Sequence, residues 1–451
     1  MHMKDFSMSQ THSYPRELVS FIFDLWQDVK FLERERIGID FSFQLPDRSL
    51  FEQIVSVCYQ ASLMREETRP VMFRLIIRPA ELFPVDMDPP AGLHILKFSE
   101  PRSFNEQELY RLAPAANFYR TLIGISIDQE EKPRIWGLIH SGLRWMTTIY
   151  GGRKLSPSLP PSLVIYVTGP GKISICLGSK MIASLNGGQI NPLAPNIFAA
   201  ERLKESFAEE HYKLRLLHSK ARDQSKRPWA IIDPEFSKSL VQQTFRRIIG
   251  VIRASRHGGM LIYVPIDMSQ DLSGENSFIN IKYRFHADEP RHRFATLMLR
   301  IMNTFAEIYG DINDPEKVIG WDEYVTCQNE EIALLNEAIF NVAQFIATLA
   351  ATDGAVVMTK QQELLGFGGF VLGDNEKIGI VHRVIDLDCK RMKPELTNMV
   401  GTRHQGAYRL CQHLHDALAV VISQDGDVEL VKWLDGAVTC WSYAPSGVPD
   451  F

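Results

Sequence analysis

The chain has no cysteine pair at redox or metal-ligand spacing. Its six cysteines, Cys58, Cys176, Cys327, Cys389, Cys411 and Cys440, are scattered over 451 residues, and no two stand as C-x-x-C. That argues against a disulfide framework or a cysteine-ligated zinc, and for reduced thiols. An excess of positive charge is also missing. The formal net charge of −5 argues against a protein that coats nucleic acid. No run approaches the roughly 18 apolar residues of a membrane helix. Residues 1–14 are polar and lack the apolar core of a signal peptide. There is no internal repeat. These absences leave a cytoplasmic protein as the expectation, with neither membrane nor nucleic acid as partner. What is present is ordinary folded composition, 45% hydrophobic and 23% charged. The length exceeds one ordinary core and suggests two or three domains.

Periodicity divides the chain three ways. Residues 1–195 read as an α+β domain. Pro15 opens a helix with Leu18, Phe21, Ile22, Leu25, Trp26 and Val29 on one stripe. A helix over 49–64 follows, then strands at 72–78, 91–98, 121–127 and 134–139. A helix or strand is expected over 145–150 and a loop over 151–161. Apolar runs at 163–167, 173–177 and 180–185, separated by glycine turns, predict a β-meander. Residues 196–328 read as a charged connector helix over 197–222 and a middle α/β unit. That unit has helices from Pro234 and Pro290 and strands at 260–264 and 278–285. Residues 329–451 read as a mixed sheet flanked by helices. A helix over 330–350 carries Ile332, Leu335, Ile339, Val342, Phe345, Ile346 and Leu349 on one stripe. Strands follow at 355–358, 364–372, 378–384, 418–423 and 428–433, with a helix over 403–414 and a turn at Asp425-Gly426. The fold class expected is α/β (α+β) throughout.

Chemistry concentrates in this last segment. Asp353-Gly354-Ala355 stands between a helix and a strand, and Gly401-Thr402-Arg403-His404-Gln405 opens another helix about 50 residues later. A carboxylate can hold a divalent metal. A helix N-terminus with an arginine can hold phosphates. Each motif has a plainer reading. D-G is a common turn dipeptide, and Asp435-Gly436-Ala437 repeats it. Thr402 also fits an N-cap. The plainer reading does not account for Arg403-His404, because cations at a helix start oppose the macrodipole unless an anion is bound. Gly366-Phe367-Gly368-Gly369 lacks the dinucleotide spacing and reads as a bulged strand, or as one open enough for a base or ribose. Cys411, His413 and His415 point to different helix faces and read as packing residues.

Taken together, Asp353-Gly354-Ala355, Gly401-Thr402-Arg403-His404 and the strand Ala419-Val420-Val421-Ile422-Ser423 resemble the diadenylate cyclase domain, over about residues 330–440. Three further segments resemble the sensor regions fused N-terminal to some bacterial members of that family. They are Ile135-Trp136-Gly137-Leu138, Gly169-Pro170-Gly171 and Arg256-His257-Gly258-Gly259. The resemblance implies a signalling protein that condenses two ATP into cyclic di-AMP, with two C-terminal domains face to face in a homo-oligomer and an unknown sensor ligand. It implies Mg or Mn on Asp353, and Arg403 and His404 beside it as catalytic residues. Gly354, Ala355, Gly368, Gly401, Thr402, Gln405 and Ser423 would contact nucleotide. The family pattern has a second arginine where this chain has Gln405, and several relatives have an acid where it has Gln424. The alternative is therefore a nucleotide-binding regulatory protein with weakened catalysis on the same fold.

Overall fold

The computed structural model describes residues 12–28, 44–83, 93–118, 120–140, 162–178, 180–192, 201–255, 257–268, 278–372, 378–384, 389, 391–397, 400–424 and 426–443. The expectations for 145–150 and 151–161, and Asp425 of the expected turn, lie outside them. The chain divides into two compact units. The first takes the described residues up to 192 and the second those from 201 on. Both are mixed α and β.

The first unit opens with α1 (Pro15–Asp28) and α2 (Arg48–Leu63). Asp47 caps α2, its carboxylate accepting the Ser49 amide at 2.8 Å. A two-stranded hairpin, β1 (Arg65–Glu66) with β2 (Arg69–Pro70), leads into the sheet. The sheet strands are β3 (Phe73–Ile77), β4 (His94–Ser103), β5 (Thr121–Ile127), β6 (Pro133–His140), β7 (Leu163–Gly169), β8 (Lys172–Leu177), β9 (Lys180–Asn186) and β10 (Gln189–Pro192). A short helix, α3 (Glu106–Leu112), precedes β5. The strand order is β10-β9-β8-β7-β3-β5-β6-β4. Only β3 and β5 pair in parallel, and the expected meander is β7–β9. The stripes Leu18, Ile22, Phe51, Ile54 and Cys58 are buried with Phe73, Ile123 and Ile165 of the sheet in one core.

The second unit runs α4 (Glu201–Glu205), α5 (Ala208–Gln224), β11 (Ile231–Ile232), α6 (Phe236–Ser255), β12 (Gly259–Val264), β13 (Ile279–Arg284), α7 (Arg293–Ile308), β14 (Val318–Ile319), α8 (Trp321–Thr326) and α9 (Glu330–Leu349). It continues with β15 (Ala355–Thr359), β16 (Leu364–Val371), β17 (Ile380–Val384), β18 (Met392–Leu396), α10 (Thr402–His413), β19 (Leu418–Ile422), β20 (Val428–Leu434) and β21 (Ala437–Tyr443). Its main sheet has the order β13-β16-β15-β12-β19-β20-β21-β17-β18. The helices α6 and α9 cover one face, burying Ile248, Ile252, Ala343 and Ile346. α10 covers the other with Ala407, Tyr408, Leu410 and Cys411. Beyond α6 and α9, α7 closes an outer helical layer around Phe236, Leu240, Phe305 and Ile339.

Three expectations differ. The strands assigned to a middle unit, β12 and β13, belong to the same sheet as the strands after 329. β12 is buried at all six positions, so it needs neighbours on both edges and cover on both faces. It finds them in β15 and β19. The single connector helix is two helices, interrupted at Phe207 (φ −124°, ψ 9°). Phe345 is exposed rather than buried with its stripe. Asp435-Gly436, with φ of 49° and 86°, is the hairpin turn between β20 and β21. α9 has the length and composition to cross a membrane. Its buried residues other than Phe340 lie in the two helical-side cores.

Candidate nucleotide site

Strand register decides which motif residues meet. β15 runs parallel to β12, with Leu261 beside Val356, and β19 runs antiparallel, with Gly259 opposite Ile422. Asp353, Gly258 and Ser423 therefore emerge side by side from one end of the sheet. At about 4.8 Å per strand the group spans about 10 Å. β16 adds Gly368, which the bulge after the Ala355–Gly369 pair brings close, so that a Cβ on it would lie 3.6 Å from the Asp353 carbonyl oxygen.

Glycines make this end passable. Gly354 has φ +99°, and a Cβ there would lie 2.7 Å from the Gly368 carbonyl carbon. Gly368 has φ +65°. The register between β15 and β16 shifts at Ala355/Val357 and again at Val357/Met358, which is the expected bulge. Gly258, at φ +64°, lies against the Ile422 carbonyl and the Gln424 amide. Only glycine fits that conformation and that space.

The start of α10 comes to the same place through Arg403. Its Nη1 donates to the His257 carbonyl at 3.3 Å, and a Cβ on Gly258 would sit 3.1 Å from that nitrogen. The N-cap is Gly401, which supplies no side-chain cap, so Thr402 is the first helical residue and not the cap. Thr402 is exposed and Arg403 half-buried. Ser423 Oγ accepts the Asp427 amide at 3.0 Å, which leaves its proton free to donate. Asp353 is exposed and makes no hydrogen bond or ion pair with the described residues. Arg253 reaches the neighbouring turn, its Nε donating to the Gly426 carbonyl at 2.7 Å. Arg253 was missed from sequence, and His257 was read only as part of a sensor-like segment, since both stand far from either motif in the chain.

His404 has a ring neighbour on its own helix, and Gln405 turns away from the end of the sheet. The His404 ring lies 6.2 Å from the Tyr408 ring, one helical turn on. Gln405 Nε2 donates to the Thr397 carbonyl at 3.0 Å, and its buried Oε1 has no partner. Behind them Tyr408 donates to Glu429 at 2.7 Å, and Arg383 binds Glu429 at 2.9 Å and also Glu395. Burial and then Glu429 push the Tyr408 hydroxyl far above its ordinary range. Burial pulls Arg383 down, but Glu395 and Glu429 outweigh it and hold the guanidinium protonated. His413 stacks on Phe278 at 4.7 Å and His415 on Trp433 at 4.3 Å, as packing residues do. Among the described residues no three His, Cys, Asp or Glu side chains converge as a metal cage. Asp353 is a single carboxylate donor, which suits a divalent ion completed by substrate phosphates and water.

The other unit supplies the family evidence. Residues 41–140 match the family model described as probable sensor domain DACNV. The match runs from before α2 to the end of β6, and so takes in the β3-β5-β6-β4 half of the first sheet. The meander β7–β10 completes that sheet beyond the matched residues. No cyclase-domain model matches alongside it. No curated protein matches the chain. Within the matched domain, Gly124 makes room for the Trp136 indole, whose Nε1 donates to the Arg78 carbonyl at 2.9 Å.

Proposed function

We propose that the second unit is a diadenylate cyclase-like domain, which condenses two ATP into cyclic di-AMP under control of the sensor-bearing first unit. The observation that carries this reading is the meeting of Asp353, Arg403 and Ser423 at one end of the sheet, around Gly258. In this reading Asp353 holds Mg or Mn, which supplies charge neutralisation at the phosphates when bound. Gly354, Ala355 and Gly368 let ribose and base lie close to the backbone. Gly401, Thr402 and the uncapped first turn of α10 take phosphate oxygens. Arg403 and His404 stabilise charge as pyrophosphate departs. Each ribose 3′-hydroxyl attacks the α-phosphorus of the other ATP. Two P–O bonds form, two pyrophosphates leave and two protons are released.

Gln405 favours a second reading, a nucleotide-binding regulatory module without turnover. A charge-assisted contact is worth roughly 1.5–3 kcal/mol. Its loss would slow cyclisation by about 10- to 150-fold. Purified protein incubated with ATP and Mn²⁺ or Mg²⁺, with products identified by mass, separates the two. The cyclase reading expects cyclic di-AMP from the parent, none from Asp353→Asn with an unchanged melting curve, and more from Gln405→Arg. Full activity in Asp353→Asn refutes the metal assignment. ATP binding without any product from parent or Gln405→Arg leaves the regulatory reading.

A further inference from the structure

The same sheet has a cavity at the end opposite the nucleotide motifs. Tyr263 closes β12 where Leu418 opens β19, four residues along the ladder from Gly259 and Ile422, or about 13 Å. There α4, α5 and α6 stand over the sheet and leave a cleft. Its walls are aromatic. The Tyr263 ring lies 6.0 Å from Phe207, edge on at 82°, and 6.0 Å from Phe245. Leu418 forms part of the floor, and His211 and Gln362 add polar atoms.

Two features of this cleft call for a ligand. Tyr263 is 1% exposed, yet its hydroxyl has no hydrogen-bond partner. Buried hydroxyls are normally satisfied, so an acceptor is wanted here. The second feature is charge just beyond the lining residues, on two lysines that neighbour Leu418 and Gln362 without themselves forming the cleft wall. Lys432 is opposite Leu418 in the β19–β20 register and is buried. Lys360 follows β15, donates its amide to the Val264 carbonyl at 2.8 Å, and is also buried. Gln362, on the cleft wall, donates to the Lys360 carbonyl. Neither ammonium has a carboxylate in ion-pair contact among the described residues. Burial and then Lys360 pull Lys432 below the usual lysine range, opposed by Asp416. Three other acids are in ion-pair contact with other cations, although the charge of Glu209 also reaches Lys360. Glu363 pairs with Arg291 at 2.6 Å, Glu235 with Lys238 at 2.5 Å and Glu209 with Lys213 at 2.5 Å. Buried like charges left unpaired are stabilised by an anion.

We propose that this cleft is a ligand site for a small aromatic anion, with the ring among Phe207, Phe245 and Tyr263 and the acidic head toward Lys360 and Lys432. The head also supplies the acceptor that the Tyr263 hydroxyl lacks. The site is separate from the nucleotide motifs and does not depend on the cyclase reading. A ligand there would brace α5 and α6 against the sheet.

The test uses the full chain and a matched pair of probes, 2-naphthoate and its neutral analogue 2-naphthamide, in titration calorimetry. The expected result is saturable one-to-one binding of naphthoate, at least about 10-fold tighter than naphthamide, as one desolvated charge contact gives. Lys360→Met with Lys432→Met should bring naphthoate to the amide's level. Val241→Trp, which narrows the cleft from α6, should abolish binding of both. Asp353→Asn should leave both titrations unchanged. Absence of saturable naphthoate binding, or equal affinity for acid and amide, overturns the proposal on the parent protein alone. So does unchanged naphthoate binding in a folded double-lysine variant.

Discussion

Gly354 concentrates in one residue the constraint on the candidate site. Its φ of +99° is open to glycine, and its missing Cβ is what lets the Gly368-Gly369 backbone approach. Gly354→Ala is expected to cost about 2–4 kcal/mol, the left-handed penalty plus overpacking against backbone. Urea unfolding measures it, and a cost under about 0.5 kcal/mol would show that the bulge is soft. His211 is a second residue with a measurable signature. Burial, then Lys238 and Arg215, pull its imidazole from 6.5 down to about 4. Between those values the unfolded chain binds a proton that the folded chain refuses, so stability falls as pH drops through that window. The full loss is about 3 kcal/mol. His211→Gln should flatten the curve of unfolding free energy from pH 6.5 to 4 and leave the value at pH 8 little changed.

At the scale of elements, α10 is held by polar as well as apolar contacts. Tyr408 hydrogen-bonds Glu429 of β20, which in turn binds Arg383 of β17. Tyr408→Phe removes one bond to a buried carboxylate and should destabilise by about 1.5–3 kcal/mol. Glu429 keeps Arg383, so the fold survives, and thermal unfolding of the variant is the check. Elements with clear periods were legible beforehand. The 3.6-residue stripe of α9 and the buried runs of β12 and β19 announced themselves. Others were not. β18 is exposed at four of its five positions and has no apolar pattern to read. It exists because β17 offers it an edge. α3 rests on its cap, Asn105 accepting the Glu108 amide at 2.9 Å, more than on any stripe.

At the scale of the whole molecule, each chain has one Asp353 and one Arg403, which under the proposed cyclase reading serve one ATP. A cyclic dinucleotide needs two 3′-hydroxyls and two α-phosphates in mutual reach, hence two second units apposed with two-fold symmetry. Activity per subunit is expected to rise with protein concentration until a dimer is saturated. Light scattering across a dilution series, run beside the ATP assay, tests this. A strict monomer with a constant rate per subunit would remove the mechanism. Under the same proposed reading the first unit, with its sensor-domain match, would control that association, since a ligand that prefers one assembly state shifts the balance by its differential affinity.

Local order in the sequence determined most elements, the separation of chemistry into the last quarter and the two motifs that carry it. Asp353-Gly354-Ala355 and Thr402-Arg403-His404 stood out as candidates because cations at a helix start oppose the macrodipole unless an anion is bound, whereas the D-G turn alone is common. Their meeting was not legible. Arg403 reaches the His257 carbonyl across 146 positions of chain, and Gly258 admits Ile422 and Gln424 only through strand register. The same holds for Lys432, an unremarkable charge until the ladder sets it opposite Leu418 of the cleft floor. Side-chain period is a local property that the sequence displays. Strand order is set by which buried edges find partners, and only the tertiary structure decided that.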